Sequence, residues 1–289
     1  MGLPFEVAAD TGIFAKYGLT GEPIYTAGSP NSIKAVIAGD IQFASVGSSA
    51  SIQANLGRAN LVLVATGSPG LAFRLYARPE IKTVADLKGK RIVESQIGSD
   101  PDFALKMALP RSGLAYNDAQ MVHIEGNNPA QLAAYKASGA EAVILTAGSF
   151  AQAEKEFGAH LLLDIQGLNV PYNQGAMTAT RDWVQSHRDE TQRFVRGYAE
   201  GIKSIVNNRA QAIAIMKKYT KNDDDAVANE AYDAYVQAAG GRLPYVTLDG
   251  IQSLLDLVGE TTPAAKQHTP SEYVDSSFVD QLKAEGFTP

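Results

Sequence analysis

Hydroxyl, amide and carboxyl side chains gather at five sharp turns in this chain, and their types suit hydrogen bonding rather than bond breaking. The turns read Gly28-Ser29-Pro30, Gly47-Ser48-Ser49, Gly98-Ser99-Asp100-Pro101, Gly126-Asn127-Asn128-Pro129 and Thr146-Ala147-Gly148-Ser149. Each follows an apolar stretch and precedes a helical pattern. Gly permits the turn, Ser, Asp or Asn caps the new helix, and Pro suits its first position. Helix starts offer free N–H donors and the positive end of a dipole. In open α/β sheets such turns lie at the carboxyl ends of strands, where ligands bind. Turns converging on one crevice would form a hydrogen-bonding box for a small molecule.

Catalytic signatures do not accompany these turns. The chain lacks G-x-x-x-x-G-K-S/T, H-E-x-x-H, G-x-S-x-G and G-x-G-x-x-G. Its four histidines, His123, His160, His187 and His268, share no ligand spacing, and His123 reads as an ordinary, partly buried side chain. Ser48 and Ser49 have no local base. The absence of cysteine excludes disulfides, thiolate metal sites and thiol catalysis. No cofactor and no metal site is expected.

The elements that position these residues alternate. Apolar runs at 23–26, 41–46, 60–66 and 73–77 read as strands, with helices at 31–38 and 49–56. After Arg78-Pro79 the pattern restarts. A short helix at 84–88 precedes strands at 91–95, 120–124, 142–146 and 160–165, separated by helices at 101–112, 129–138 and 149–157. This alternation predicts α/β architecture with a mostly parallel sheet. The two blocks echo one another: 35–44 and 133–143 both run helix, Gly stop and short strand into a Ser-bearing turn. From Arg181 onward helices dominate, at 183–207, 211–219, 224–238 and 248–258. Asp223-Asp224-Asp225 reads as a helix cap. Trp183, Tyr198, Tyr219, Tyr232 and Tyr235 read as packing.

At 289 residues the chain is long enough for about two domains, and 45% hydrophobic content is ample for their cores. The net charge of -6 and scattered cations argue against a nucleic-acid partner; Lys82, Lys88, Lys90 and Arg91 read as a solvated turn. No apolar run reaches the length of a membrane span, and no export signal is present. Met1-Gly2-Leu3-Pro4 reads as an engineered start after signal removal, or as the start of a cytosolic protein.

Several motifs in order resemble the substrate-binding proteins of bacterial ABC importers, of the nitrate/taurine/sulfonate and thiamine-pyrimidine-precursor type. They are Leu3-Pro4-Phe5-Glu6-Val7-Ala8-Ala9-Asp10-Thr11-Gly12-Ile13-Phe14 with Ala15-Lys16-Tyr17-Gly18-Leu19, and Ala38-Gly39-Asp40-Ile41-Gln42-Phe43-Ala44. Ala77-Arg78-Pro79-Glu80-Ile81, Asp86-Leu87-Lys88-Gly89-Lys90-Arg91-Ile92, Pro171-Tyr172 and Ser276-Ser277-Phe278 follow. The resemblance implies a two-lobed type II periplasmic-binding-protein fold, each lobe a mixed sheet flanked by helices, with C-terminal helices. Lobe 1 would comprise 1–77 plus 173–289 and lobe 2 residues 78–172, hinged near 76–79 and 172–178.

The implied role is non-enzymatic capture of a small polar organic ligand in the inter-lobe cleft, then delivery to a membrane permease and its ATPase. The protein would be a monomer, periplasmic or lipid-anchored, touching the membrane only through the permease or that anchor. Expected ligand contacts are Phe5, Glu6, Ser29, Ser48, Ser49, Ser99, Asp100, Asn127, Thr146, Tyr172 and Asn173, with Tyr172 or Phe5 under a flat ring. Two departures from the family pattern concern charge: Glu6 stands where relatives carry an aromatic residue, and Asp100 in a Ser/Gly turn. Two acids would repel a sulfonate or nitrate, so the ligand is expected to be neutral or cationic. The competing reading has Asp100 capping its helix and Glu6 facing water. Relatives also carry a strand before Leu3; here either a truncation or another segment accounts for it. A same-fold enzyme of pyrimidine or cofactor metabolism and a ligand-sensing module remain alternatives.

Overall fold

The structure is a computed structural model that describes residues 2–26, 28–126 and 128–288. The chain opens with helices α1 (Leu3–Asp10), α2 (Ile13–Lys16) and α3 (Ser29–Ala38), then strand β1 (Ala44–Val46), helix α4 (Ser48–Leu56) and strand β2 (Leu61–Pro69). A second block follows: β3 (Phe73–Ala77), β4 (Arg91–Glu94), α5 (Asp100–Arg111), β5 (Gln120–His123), α6 (Asn128–Ser138), β6 (Ala142–Thr146), α7 (Phe150–Phe157) and β7 (His160–Asp164). The chain then returns through β8 (Asn173–Thr180). It ends in α8 (Arg181–Ser186), α9 (Arg188–Asn207), α10 (Arg209–Thr220), α11 (Asp225–Ala239), α12 (Leu248–Val258) and α13 (Ser277–Ala284).

Two compact units result: Met1–Gly70 with Pro171–Pro289, and Leu71–Val170. The first holds a three-stranded sheet ordered β1-β8-β2, antiparallel throughout. β2 stands at the edge of this sheet beside β8, yet it is apolar and buried on both faces over most of its length. Its core joins Val62 and Val64 to Phe14, Val195, Tyr198 and Phe278.

The second unit holds a five-stranded mixed sheet ordered β5-β4-β6-β3-β7. Only β5, β4 and β6 run parallel; β3 pairs antiparallel with β6 and β7. Its core packs Tyr76, Val93, Leu132, Tyr135, Val143 and Leu145. Both units thus carry helix-flanked sheets, but the parallel component is smaller than strand–helix alternation alone predicts.

Four local differences from the sequence reading have physical causes. Residues 23–26 form no strand, because no strand lies beside them to pair with among the described residues. Residues 172–178, expected to hold a hinge, fall almost entirely within β8, at the centre of the first sheet. Strand 73–77 sits in the second unit, paired with β6 and β7. The helix expected over 183–207 breaks at His187, whose φ of -125° and ψ of 44° leave the helical region while its ring stacks on Trp183. Asp224 accepts from the Ala226 and Val227 amides and so caps α11.

Candidate functional site

In the first unit, α1 presents Leu3, Glu6 and Val7 on one face by its 3.6-residue period, and all three are buried. Burying Glu6 brings a carboxyl group to the wall of a cavity of about 270 Å³, also lined by Phe5, Tyr25, Ser29, Phe43 and Ser45. Glu6 is 2% exposed. Its Oε1 accepts a 2.5 Å hydrogen bond from the Tyr25 hydroxyl, whereas Oε2 has no partner among the described residues. Burial raises the Glu6 pKa, outweighing the opposing hydrogen bond from Tyr25. Phe5 lies 5.1 Å from the Phe14 ring, and Phe43 stacks 3.9 Å from Phe194. An unsatisfied carboxyl oxygen beside aromatic rings fits a ligand carrying N–H donors on a flat or cationic body.

Ser29 opens α3 at the same cavity, while Ser48 and Ser49 open α4, are buried and do not line it. The Tyr172 hydroxyl donates to Ser49 Oγ at 3.0 Å, and the Ser49 amide lies 3.4 Å from that hydroxyl. Ser48 Oγ has no partner among the described residues. The expectation that Tyr172 stacks on a ligand meets a fully enclosed ring. Asn173 is equally enclosed: its Oδ1 accepts from the Thr247 amide (2.8 Å) and hydroxyl (3.0 Å), and its Nδ2 donates to the Thr247 carbonyl (3.0 Å). Both side chains bind β8 to neighbouring helix starts. Replacing Tyr172 with Phe should therefore cost about 1 kcal/mol or more of stability in urea unfolding, since the buried hydroxyl's bonds to Ser49 are lost. Unchanged stability would show that these bonds contribute nothing.

In the second unit the carboxyl ends of β4, β5 and β6 carry the remaining residues. Ser99 precedes α5 and shares a 2.7 Å hydrogen bond with Ser95. Asp100 is half-buried in the first turn of α5. Thr146 ends β6, and its hydroxyl and carbonyl accept from Asn128 Nδ2 at 2.9 and 3.1 Å. Asn127 lies outside the described residues.

A buried polar cluster adjoins these strand ends, and sequence reading missed most of it. Glu94 ends β4 wholly buried, opposite His123 in the parallel register. Its Oε1 sits 3.0 Å from His123 Nδ1, and its Oε2 has no partner among the described residues. Asp102 accepts from the Gly98 amide (2.7 Å), Lys106 (2.7 Å) and the Tyr116 hydroxyl (2.6 Å). Burial, with the charge of Asp102 next, pushes the Glu94 pKa up to about 8 against the pull of Lys106 and Tyr116. A carboxylate following the apolar pair Ile92-Val93 at a strand end, four residues before Gly98-Ser99, was the signal available for Glu94. Among the described residues no cluster of three metal-binding side chains occurs, and no helix is long and apolar enough to cross a membrane.

Known proteins share this architecture. A binding protein of Brucella abortus (strain 2308) is 29% identical over 119 residues, which is 41% of this chain and 36% of the relative; the chain thus matches about a third of that relative's length. The periplasmic aliphatic sulphonate binding protein SsuA from Escherichia coli superposes with a TM-score of 0.76 at 20% identity, covering 95% of this chain and 89% of that one. The desulfurization enzyme DSZB gives 0.64 at 15% identity, over 98% and 96% of the two chains. These likenesses establish the type II periplasmic-binding-protein fold. Residues 3–212, well over half of the sequence, match the family described as NMT1/THI5 like, and the chain belongs to that family.

Proposed function

We propose that the chain is the solute-binding component of an ABC importer and takes a small polar organic ligand of neutral or positive charge. Family membership and the binding-protein fold support the role. The observation that carries the ligand class is the buried Glu6 carboxyl, with one oxygen held by Tyr25 and the other unpartnered at a cavity wall. Phe5 and Ser29 join Glu6 as proposed contacts at that cavity. Ser48, Ser49, Ser99, Asp100 and Thr146 complete the proposed set, Asn127 belongs to it by sequence alone, and the enclosed Tyr172 and Asn173 would frame the site through their bonds to Ser49 and Thr247. The protein would work as a monomer outside the cytoplasmic membrane, in the periplasm or on a lipid anchor, and hand its ligand to a permease driven by an ATPase.

A thermal-shift screen tests this reading, because a ligand that binds only the native state raises Tm by mass action. Pyrimidines, amines, flavins, aromatic acids, nitrate and sulfonates form the set. The expected result is a shift with neutral or cationic compounds and no product. Glu6→Gln should weaken that binding roughly tenfold or more, since a bond to a charged partner contributes about 1.5–3 kcal/mol. A shift with sulfonates alone would overturn the ligand class. Turnover that disappears in His123→Ala would favour an enzyme on this fold, the reading to which the Glu94–His123 contact at 3.0 Å points.

A further inference from the structure

A second cavity, of about 540 Å³, opens in the first unit away from Glu6. Its apolar walls come from Ile202 on α9, from Leu243 and Pro244 in the segment between α11 and α12, and from Phe287 after α13. Two cations, Arg242 and Lys283, line the same space. Both side chains are exposed, and neither has a hydrogen-bond or ion-pair partner among the described residues. Cations elsewhere on the C-terminal helices are matched: Arg188 to Asp275, Arg196 to Glu285, Arg209 to Asp233 and Lys217 to Asp225. The acid beside the cavity, Asp280, is already held by the Tyr245 and Ser276 hydroxyls at 2.9 and 3.1 Å.

The frame of this cavity is fixed from the sheet side. The Thr66 amide donates to the Pro244 carbonyl at 2.9 Å, and the Thr66 hydroxyl to the Gln174 carbonyl at 3.1 Å. Thr247, where α12 begins, is tied to Asn173 through both its amide and its hydroxyl. The segment that carries Arg242, Leu243 and Pro244 is therefore pinned to β2 and β8, so the space is preformed. Its volume falls in the range of small-molecule sites, which run from roughly 300 to 1,000 Å³.

We propose that this cavity is a second ligand site of the first unit, and that it takes a small amphiphilic anion. An aliphatic or aryl body would lie on Ile202, Leu243, Pro244 and Phe287. Its carboxylate or sulfonate would meet Arg242 and Lys283, the first able to bind it through two parallel N–H donors. The charge selection is opposite to that of the Glu6 cavity, so the two sites take different compounds and the proposal stands apart from the importer reading.

Octanoate is the probe, with octylamine of equal chain length as the control. Amide resonances of the 15N-labelled protein are followed during titration with each. The expected result is saturable movement at Gly67, Gly241, Leu243 and Tyr245 with octanoate, and none with octylamine. The Arg242→Glu/Lys283→Glu variant should weaken octanoate at least tenfold, and Arg242→Gln/Lys283→Gln by an intermediate factor. Both pairs change exposed side chains, and unaltered dispersion of the spectrum verifies the fold. Equal response to octylamine, octanoate shifts confined to other residues, or affinity unchanged in the variants would each overturn the proposal.

Discussion

Glu94→Gln should be more stable than the wild-type protein at pH 8.5 and nearly equal to it at pH 4.5. The reason is the proton that burial forces onto this carboxyl. Glu94 is wholly enclosed at the end of β4, faces Asp102, and has its pKa pushed up to about 8. In the unfolded chain a glutamate titrates near 4.3. Between those values the native state binds more protons than the unfolded state, so stability falls as pH rises. The loss begins near pH 4.5 and is complete above about pH 8. A displacement of this size corresponds to on the order of 3–5 kcal/mol, an upper bound because the half-exposed His123 beside it lets solvent relax the charge. Glutamine keeps the shape, never ionises, and can still offer an N–H to His123 Nδ1 at the 3.0 Å contact. Urea unfolding of both proteins at several pH values measures the difference. Parallel profiles would show that Glu94 ionises in place without cost and that the cluster is solvated.

The parts of the fold legible in the sequence were those with strong local signals. Strands 73–77 and 142–146 and helix 248–258 were placed to the residue, because each carries a regular apolar pattern with clear punctuation. β8 was not legible: Asn173-Gln174-Gly175-Ala176-Met177-Thr178 has little β-branched or aromatic character and becomes a strand only because β1 and β2 flank it. Residues 23–26 show the converse, with strand propensity but no neighbour to pair. At the site, the burial of Glu6 follows from its spacing to Leu3 and Val7, a pattern that outranks its charge. Its bond to Tyr25 could not be read, since 19 residues of chain separate the two. The Glu94–His123 pair was hidden for the same reason, because strand register alone brings those residues together.

Gly201→Ala should lower stability by about 2 kcal/mol or more, although the change favours the helix that contains it. In the interior of α9, alanine is preferred over glycine by roughly 1 kcal/mol. Packing opposes this. A Cβ on Gly201 would sit 2.3 Å from the Pro4 carbonyl oxygen and 3.3 Å from the Ala8 Cβ. The nearest atom is backbone, held in the first turn of α1, and it cannot rotate away as a side-chain tip can. One turn earlier, a Cβ on Gly197 would lie 2.7 and 2.8 Å from ring atoms of Phe14. That ring is wedged between Phe5 and Phe194 at 5.1 and 5.6 Å. The two glycines thus form a groove on α9 that seats α1 and α2. Relieving the Gly201 clash means lifting α1, and overpacking of this kind typically costs about 1–3 kcal/mol before any loss of burial by Leu3, Val7 and Ala8. The same displacement would move Phe5 and Glu6 at the cavity wall. Gly201→Ala should therefore lose affinity for any ligand that depends on Glu6, in parallel with its fall in Tm. A variant at least as stable as the parent would mean that helix propensity prevails and that α1 is seated by other contacts. Gly197→Ala should fall between the two, because an aromatic edge yields more readily than a carbonyl group.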